Sequence, residues 1–187
     1  MANGTLKVSN IETSSGSGTI TLGQSGETIN IPSGCTITNS GTQTGFGGAM
    51  TPAFHAYNSA DQNISASTLT QLIFNTEIYD TDNAFASNTF TVPSGKAGKY
   101  FVYFRVGFAS GTDFSYQVTL YINDSFNADS GFRVNQNNDY YDNNFSGQVV
   151  DLSAGDTLKL KIYAGNGGHN ISGTENRANF GAYKIIE

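Results

Sequence analysis

The sequence has little of what stabilises or charges most folded domains: its 187 residues include no tryptophan, one cysteine and only 13% charged residues. With Cys35 alone, no disulfide can form within the chain. This excludes the cross-links of many small secreted domains and favours synthesis and assembly in a reducing cytoplasm. The formal net charge of −6 argues against a nucleic-acid partner, because neutralising phosphates requires a basic surface. No apolar run approaches the length needed to span a bilayer, so we expect no membrane insertion.

Glycine and aromatic residues are plentiful instead, with 22 Gly, 13 Phe and 10 Tyr. Strong helix formers are scarce while Ser, Thr and Asn abound, which is typical of an all-β protein with many turns. No aromatic residue occurs from Thr5 to Thr44, whereas aromatic residues recur from Phe54 to Tyr183. We therefore place a boundary at Gly45–Gly48 and call residues 49–187 the head, because only this part has the large apolar side chains that a core needs.

The stretch KYFVYFRVGF in the head alternates as a β-strand does. Both of its faces are largely apolar, whereas a strand at the surface of a monomeric sandwich should have one polar face. The second face is therefore expected to pack against another subunit, or else under a covering loop. The two faces would carry, respectively, Tyr100, Val102, Phe104 and Val106, and Phe101, Tyr103 and Arg105.

Further alternating stretches predict the rest of a two-sheet sandwich or jelly roll with eight to ten short strands and no helix. NTFTVP and NFGAYKII are strand candidates, and turn sequences such as PSGKAG and SAGD separate the strands. Two stretches assign inward residues directly: YQVTLYIND gives Tyr116, Val118, Leu120 and Ile122, and DTLKLKIYAG gives Leu158, Leu160 and Ile162.

Residues 18–48 contain three Thr-Ile repeats separated by Gly, Ser and Pro, with Ile20, Ile29 and Ile37 nine and then eight positions apart. A single chain of such short strands would bury almost nothing. Three chains wound around one axis would let these isoleucines meet in the interior while the threonines face water. The repeats therefore favour a trimeric β-stem, and a flexible Gly/Ser/Thr linker is the alternative.

Residues 52–187 resemble the globular domain of the complement component 1q and tumour-necrosis-factor-like superfamily. Its landmarks occur in order as PAFHAY, LIFNTEIYDTDNAF, FTVPSGKAGKYFVYFRV, VTLYIND, VVDLSAGDTLKLKIY and NFGAYKI. The resemblance implies an all-β, ten-stranded jelly roll that assembles as a homotrimer, with the interface at Phe101, Tyr103, Tyr121 and Tyr183. The collagen stalk of that superfamily, with Gly at every third position, is absent, and the Thr-Ile repeats stand in its place.

The segment SGSGTITLGQSGETINIPSG resembles the N-terminal parts of fibre and structural proteins of tailed bacteriophages, particularly marine and cyanobacterial ones. This second resemblance implies a particle-docking segment over residues 1–17, a stem and Gly hinge over 18–48, and the jelly-roll head over 49–187. The protein would then be a virion protein, assembled in the host cytoplasm and exposed on the virion surface as a short fibre or capsid-decorating knob. Its partners would be a capsid or tail protein and, for the head, a host-surface glycan or protein. The alternative is a bacterial secreted or surface adhesion or carbohydrate-binding module with the same head.

No catalytic residues are expected. His55 and His169 are the two histidines, and no Ser or Cys motif frames either of them. His55 lies in a predicted strand, where a packed or interface position is favoured over a role as a base. His169 is expected to be a solvated loop residue, and Cys35 a small filler in the interior of the repeats. We therefore expect a binding or structural protein, not an enzyme.

Two surface regions could hold a ligand. The carboxylates of Asp80, Asp82, Asp139 and Asp142 offer the oxygen ligands that Ca²⁺ prefers, although their spacing matches no defined calcium loop and solvated turn carboxylates are the favoured interpretation. Phe126, Tyr140 and Tyr141 lie among Asn and Asp residues, a mixture suited to stacking on sugars or docking a protein. The alternative for that second region is that Phe132 and Phe145 belong to the core and the Asn residues form turns.

Overall fold

The computed structural model describes residues 8–13, 18–41, 50–110, 114–136, 143–165 and 169–185. The chain divides into two compact units, Met1–Thr44 and Gly45–Glu187. The described residues form strands and turns without a helix, so none of them belongs to a helix long and apolar enough to cross a membrane. The finer division into docking segment, stem and head stays a prediction.

The Thr-Ile repeats form regular turns but no strand within the described residues 18–41. The N–H of Glu27 donates to the carbonyl of Gln24, and the N–H of Cys35 donates to the carbonyl of Pro32. Gly26 and Gly34 occupy the same place in these two turns, with φ of 88° and 86°, a conformation that glycine adopts without strain. Ile20, Ile29, Ile37 and Cys35 are all exposed in the single chain. Burial of these isoleucines in a three-chain stem stays a prediction.

Thirteen antiparallel strands lie in the described part of the second unit, several of them only two or three residues long. In chain order they are β1 Ala53–Tyr57, β2 Gln62–Ile64, β3 Leu69–Gln71, β4 Thr76–Asp80, β5 Phe85–Ala86, β6 Thr89–Thr91, β7 Gly98–Ser110, β8 Phe114–Ile122, β9 Ser125–Gln136, β10 Asn143–Leu152, β11 Thr157–Ala164, β12 His169–Ile171 and β13 Ala178–Lys184.

The strands form two sheets. The seven-stranded sheet has the order β2-β12-β7-β13-β1-β4, and β10 also pairs with β7, on the edge opposite β13. The six-stranded sheet has the order β5-β6-β11-β8-β9, and β3 pairs with β11. Strand β7 lies in the middle of the first sheet, and its alternating aromatic and β-branched residues favour the strand conformation. It pairs with β10 from Gly98 to Gly107 and with β13 from Tyr100 to Val106.

Two tight hairpins fix register in the six-stranded sheet. Ser87 and Asn88 between β5 and β6, and Asn123 and Asp124 between β8 and β9, all have positive φ. Two such residues in succession form the type I′ turn that matches the twist of the flanking strands. Asn and Asp tolerate this conformation better than most residues do.

Phenylalanine side chains fill the space between the sheets. Phe54 of β1 is fully buried, stacks on Phe85 and Phe90 with ring centroids 4.6 and 4.9 Å apart, and meets Phe180 of β13 edge-on at 5.0 Å. The inward residues expected from the alternation of β7, β8 and β11 are buried, except that Ile122 at the end of β8 is only half-buried. The predicted two-sheet arrangement is confirmed.

Two expectations were wrong in detail. The expected ten strands become thirteen, because short pieces such as β3 and β6 pair separately with the long β11. His169 is not in a solvated loop: it is 5% exposed, begins β12, and meets Phe108 edge-on at 6.4 Å. The glycines that precede His169 suggested a loop, and a strand of three residues is too short to show alternation.

Candidate functional site

The outer face of the seven-stranded sheet carries a row of residues brought into line by strand register. Tyr79 of β4 pairs with His55 of β1, His55 with Gly181 of β13, Gly181 with Tyr103 of β7, and Tyr103 with Gly147 of β10. Their sequence neighbours in β1, β7 and β13 are core residues, so this row points away from the core.

A second row lies beside the first and is also rich in apolar side chains. Tyr183 pairs with Phe101, and Phe101 pairs with Val149. The rings of Phe101 and Tyr183 are 5.6 Å apart and those of Phe101 and Tyr103 are 6.1 Å apart. Phe145 is the outward residue of β10 beyond Gly147. With it, the two rows form what we call the aromatic face: His55, Tyr79, Phe101, Tyr103, Phe145, Val149 and Tyr183.

Two glycines make room for the rings of this face. A Cβ at Gly181 would meet the Tyr103 ring and hydroxyl, and would lie 2.9 Å from the Phe54 carbonyl oxygen. A Cβ at Gly147 would lie 2.8 Å from Cζ of Phe101. The rings of Tyr103 and Phe101 therefore lie flat over Gly181 and Gly147. A larger residue at either position would push the ring above it outward.

The aromatic face is exposed and bounded by charge. Tyr79, Val149 and Phe145 are 44%, 54% and 58% exposed. At one end Lys99 pairs with Asp151 at 2.6 Å, and at the other Arg105 donates to the Asn176 carbonyl at 3.0 Å. The outer face of an antiparallel sheet is usually polar, and a contiguous apolar patch with a polar rim is typical of a protein-binding surface.

His55 lies at the centre of this face, between two tyrosines. Its Nδ1 is 2.8 Å from the Tyr103 hydroxyl, and its ring stacks against Tyr103 at 5.7 Å and Tyr79 at 6.1 Å. Burial lowers the pKa of His55, opposed by the negative charge of Glu175. Burial, reinforced by a hydrogen bond with Tyr79, raises the pKa of Tyr103, so Tyr103 stays protonated and can donate to a neutral imidazole.

Three of the four predicted interface residues, Phe101, Tyr103 and Tyr183, lie together on the aromatic face; whether subunits meet there stays a prediction. The fourth, Tyr121, was wrongly grouped with them. It belongs to β8 in the six-stranded sheet, where it pairs with Lys159, and it is only 8% exposed. Alternation gave its outward direction correctly but could not say on which sheet it lies.

Neighbouring side chains cover Tyr121. Phe126 meets its ring edge-on at 5.9 Å, and Nζ of Lys161 lies 4.3 Å from its centroid. Asp124 holds both nearby lysines, at 2.9 Å from Lys159 and 3.4 Å from Lys161, and this lowers the pKa of Asp124. Phe126 itself is exposed, which leaves it available as predicted. Tyr140 and Tyr141 lie outside the described residues, so the three-residue binding surface stays a prediction.

Of the four carboxylates predicted as a possible calcium site, two lie in the described part of the chain and two outside it. Asp80 accepts a hydrogen bond from the Phe85 N–H at 2.8 Å, and Asp82 accepts one from the Thr81 hydroxyl at 2.6 Å, so both stabilise the turn after β4. Asp139 and Asp142 lie outside the described residues. Within the described ranges, no three His, Cys, Asp or Glu side chains are grouped to hold a metal ion, and calcium binding by the four residues stays a prediction.

Sequence reasoning missed Tyr79, Phe145 and Val149 as members of the face. The pattern Phe145-x-Gly147-x-Val149 has strand periodicity. Gly147 and the Asn residues before it, however, weaken the difference between an apolar and a polar face by which a strand is recognised. The suggestion that Phe145 is a core residue was wrong, because β10 turns it outward. Tyr79 was noted only as a landmark of the resemblance.

Gly181→Ala should destabilise the head by about 1–3 kcal/mol, the usual cost of overpacking, because the new methyl group meets both Tyr103 and a backbone carbonyl. Gly147→Ala is the matched control, and we expect a loss below about 1 kcal/mol since only the end of the movable Phe101 ring is in its way. Urea unfolding followed by tyrosine fluorescence measures both. Equal losses would show that Gly181 is not a point of close approach.

Solved structures with the same arrangement of strands share little sequence with this chain. Murine APRIL at pH 5.0 has a TM-score of 0.54 at 16% identity, over 71% of this chain and 98% of that chain. The globular domain of zebrafish complement 1qA has a TM-score of 0.53 at 18% identity, over 72% of this chain and 96% of that chain. Murine APRIL at pH 8.0 gives 0.54 at 18% identity, over 71% and 98%.

No protein-family model and no curated protein sequence matches the chain. At these identities the similarity shows the fold alone. None of these three structures is a phage fibre, so the phage resemblance stays a prediction. The two-sheet head has the antiparallel jelly-roll fold of tumour-necrosis-factor-like and complement-1q-like domains.

Proposed function

We propose that this protein is a non-enzymatic structural protein of a bacteriophage virion, a homotrimeric short fibre or capsid-decorating knob. Its N-terminal residues dock on a capsid or tail protein, the Thr-Ile repeats form a three-chain stem, and the head projects from the virion surface for host-surface binding or decoration. The protein assembles in the host cytoplasm before it joins the particle.

The aromatic face is the observation that carries the trimeric part of this proposal. Its exposed members are Tyr79 near one edge of the sheet and Phe145 and Val149 on β10 near the other. Ring assemblies need two different patches on each subunit, one for each neighbour. The face supplies both patches, because in a three-membered ring the Tyr79 side of one subunit would meet the Phe145 and Val149 side of the next.

The N-terminal repeats support the same stoichiometry independently. The turns at Gln24–Glu27 and Pro32–Cys35 recur eight positions apart, and the isoleucines between and after them are exposed in the single chain. Burying one such side chain contributes about 1.5–3 kcal/mol. Three parallel copies would gain this at each repeat, whereas one chain gains nothing.

The proposal that the protein is not an enzyme is supported by the contacts of His55. His55 is hydrogen-bonded to a phenol, not to a serine or a cysteine that it could activate. His169 is buried against Phe108. The hydrogen bond of His55 therefore does not pair a base with a nucleophile.

Mass spectrometry of purified phage particles tests the virion assignment. We expect peptides of this chain in particles banded on a density gradient, at a copy number that is a multiple of three. A variant lacking residues 1–48 should be missing from the particles although its head still folds. Incorporation of the truncated chain would contradict the docking role, and recovery of the full chain only from bacterial surface fractions would favour an adhesion module.

A further inference from the structure

His55 is the residue of the aromatic face whose charge can change near neutral pH. The chain has two histidines, and the other, His169, is buried in β12 rather than on this face. His55 is half-buried already in the single chain and stacks between Tyr79 and Tyr103. Any subunit that covers the aromatic face would remove the remaining water from its ring.

The groups around His55 offer a positive charge little compensation. The hydrogen bond that the structure gives its ring is to the Tyr103 hydroxyl. This partner is neutral: its oxygen can accept from a protonated Nδ1–H, but it brings no negative charge to offset that of the imidazolium. Glu175 is the carboxylate whose charge favours protonation, and burial outweighs it. The titratable or charged residues on β1, on its neighbours β4 and β13, and on β7 beyond β13 are Tyr57 on β1, Glu77, Tyr79 and Asp80 on β4, Tyr183 and Lys184 on β13, and Lys99, Tyr100, Tyr103 and Arg105 on β7.

We propose that His55 makes assembly through the aromatic face pH-dependent, so that the trimer is stable at neutral and basic pH and dissociates on acidification. This rests on the proposed function, because it requires subunits to meet at this face. Three copies of His55 enter one trimer, and each must be neutral when its ring is covered.

The sign follows from proton linkage. The reference state for assembly is the free subunit, in which the pKa of His55 already lies below its ordinary 6.5. A further lowering by the covering subunit favours the trimer above the free-subunit pKa, and this contribution is lost as the pH falls through the lower value in the trimer. Each unit by which assembly lowers the pKa of His55 weakens association about tenfold per subunit in acid, and therefore about a thousandfold per trimer. Ordinary carboxylates titrate near pH 4, below this window.

Sedimentation velocity of the full, untagged chain between pH 5.0 and 8.0 at constant ionic strength tests the proposal, with His55→Gln as the comparison. We expect the wild type to lose trimer as the pH falls from about 6.5 to 5.0, and the variant to show the same trimer fraction throughout. Because each protein is compared with itself across pH, a change in the overall affinity of the variant does not matter. His55→Asn, measured in parallel, replaces the glutamine variant if that chain does not fold.

Each other outcome overturns a different statement. A wild type that stays trimeric at pH 5.0 removes the pH dependence and leaves the proposed trimer intact. Parallel dissociation of wild type and variant assigns the effect to another group. A wild type that is monomeric at pH 8.0 overturns the trimer and the pH dependence together. An NMR titration of the two histidine Cε1 protons adds a direct check, since a pKa of His55 at or above 6.5 in the trimer would also overturn the proposal.

Discussion

Phe54→Ala is expected to lower the free energy of unfolding of the head by about 3–5 kcal/mol. Phe54 is completely buried, and its ring stacks on Phe85 and Phe90 and meets Phe180. Alanine would leave a cavity between the two sheets that three rigid aromatic neighbours cannot close by relaxing. Since domains of this size are stable by only about 5–15 kcal/mol, the variant should be close to unfolded at 37 °C.

Tyrosine fluorescence during urea unfolding measures this loss. All 10 tyrosines lie at Tyr57 or beyond and the chain has no tryptophan, so the signal reports on the head alone. Protein concentration must be held fixed, because assembly adds to apparent stability. The control is Phe126→Ala, whose ring is 52% exposed and for which we expect less than about 1 kcal/mol. Similar losses in both variants would contradict the assignment of Phe54 to the core.

Tyr79→Asp is expected to convert the trimer into monomers at micromolar concentration. The substitution removes an aromatic anchor of the aromatic face and introduces a charge that a covering subunit would desolvate. Truncating an aromatic anchor of an interface costs about 2 kcal/mol or more at each contact. Three contacts per trimer then correspond to a loss of roughly four orders of magnitude in the association constant.

Tyr163→Asp is the matched control for this experiment, measured by the same sedimentation method. Tyr163 and Tyr79 are both 44% exposed strand tyrosines, but Tyr163 lies on β11 in the six-stranded sheet. Val149→Asp, on β10, should act like Tyr79→Asp. If the charge at Tyr163 dissociated the trimer while those at Tyr79 and Val149 did not, the interface would lie on the six-stranded sheet.

The parts of the fold that could be predicted are those where alternation within a single strand decides whether each side chain faces the core or the outside. In β7 the period of two assigns Tyr100 to the core and Phe101 to the outside without further information. In β11 the same holds for Leu158 and Lys159. Turn chemistry was also readable from the sequence, as at Pro32–Cys35 in the repeats. These signals are local, and the structure confirms them for the described residues.

The parts that could not be predicted depend on long-range pairing. An outward residue can lie beside Tyr103 on the seven-stranded sheet or beside Lys161 on the six-stranded sheet, depending on which strands are neighbours. Alternation within one strand contains no information on this. Tyr121 was misplaced for that reason. The alignment of Tyr79, His55, Gly181 and Tyr103 results from three separate pairings. His169 was misjudged because a three-residue strand flanked by glycines gains its order from β2 and β7 rather than from its own sequence.

The mass of the intact, untagged chain in solution at pH 8.0 is the most direct test of assembly through the aromatic face. Light scattering on a sizing column, at concentrations from about 1 to 100 micromolar, should give three times the chain mass of 19.9 kDa. A mass of 19.9 kDa over that whole range would contradict both the three-chain stem and the interface.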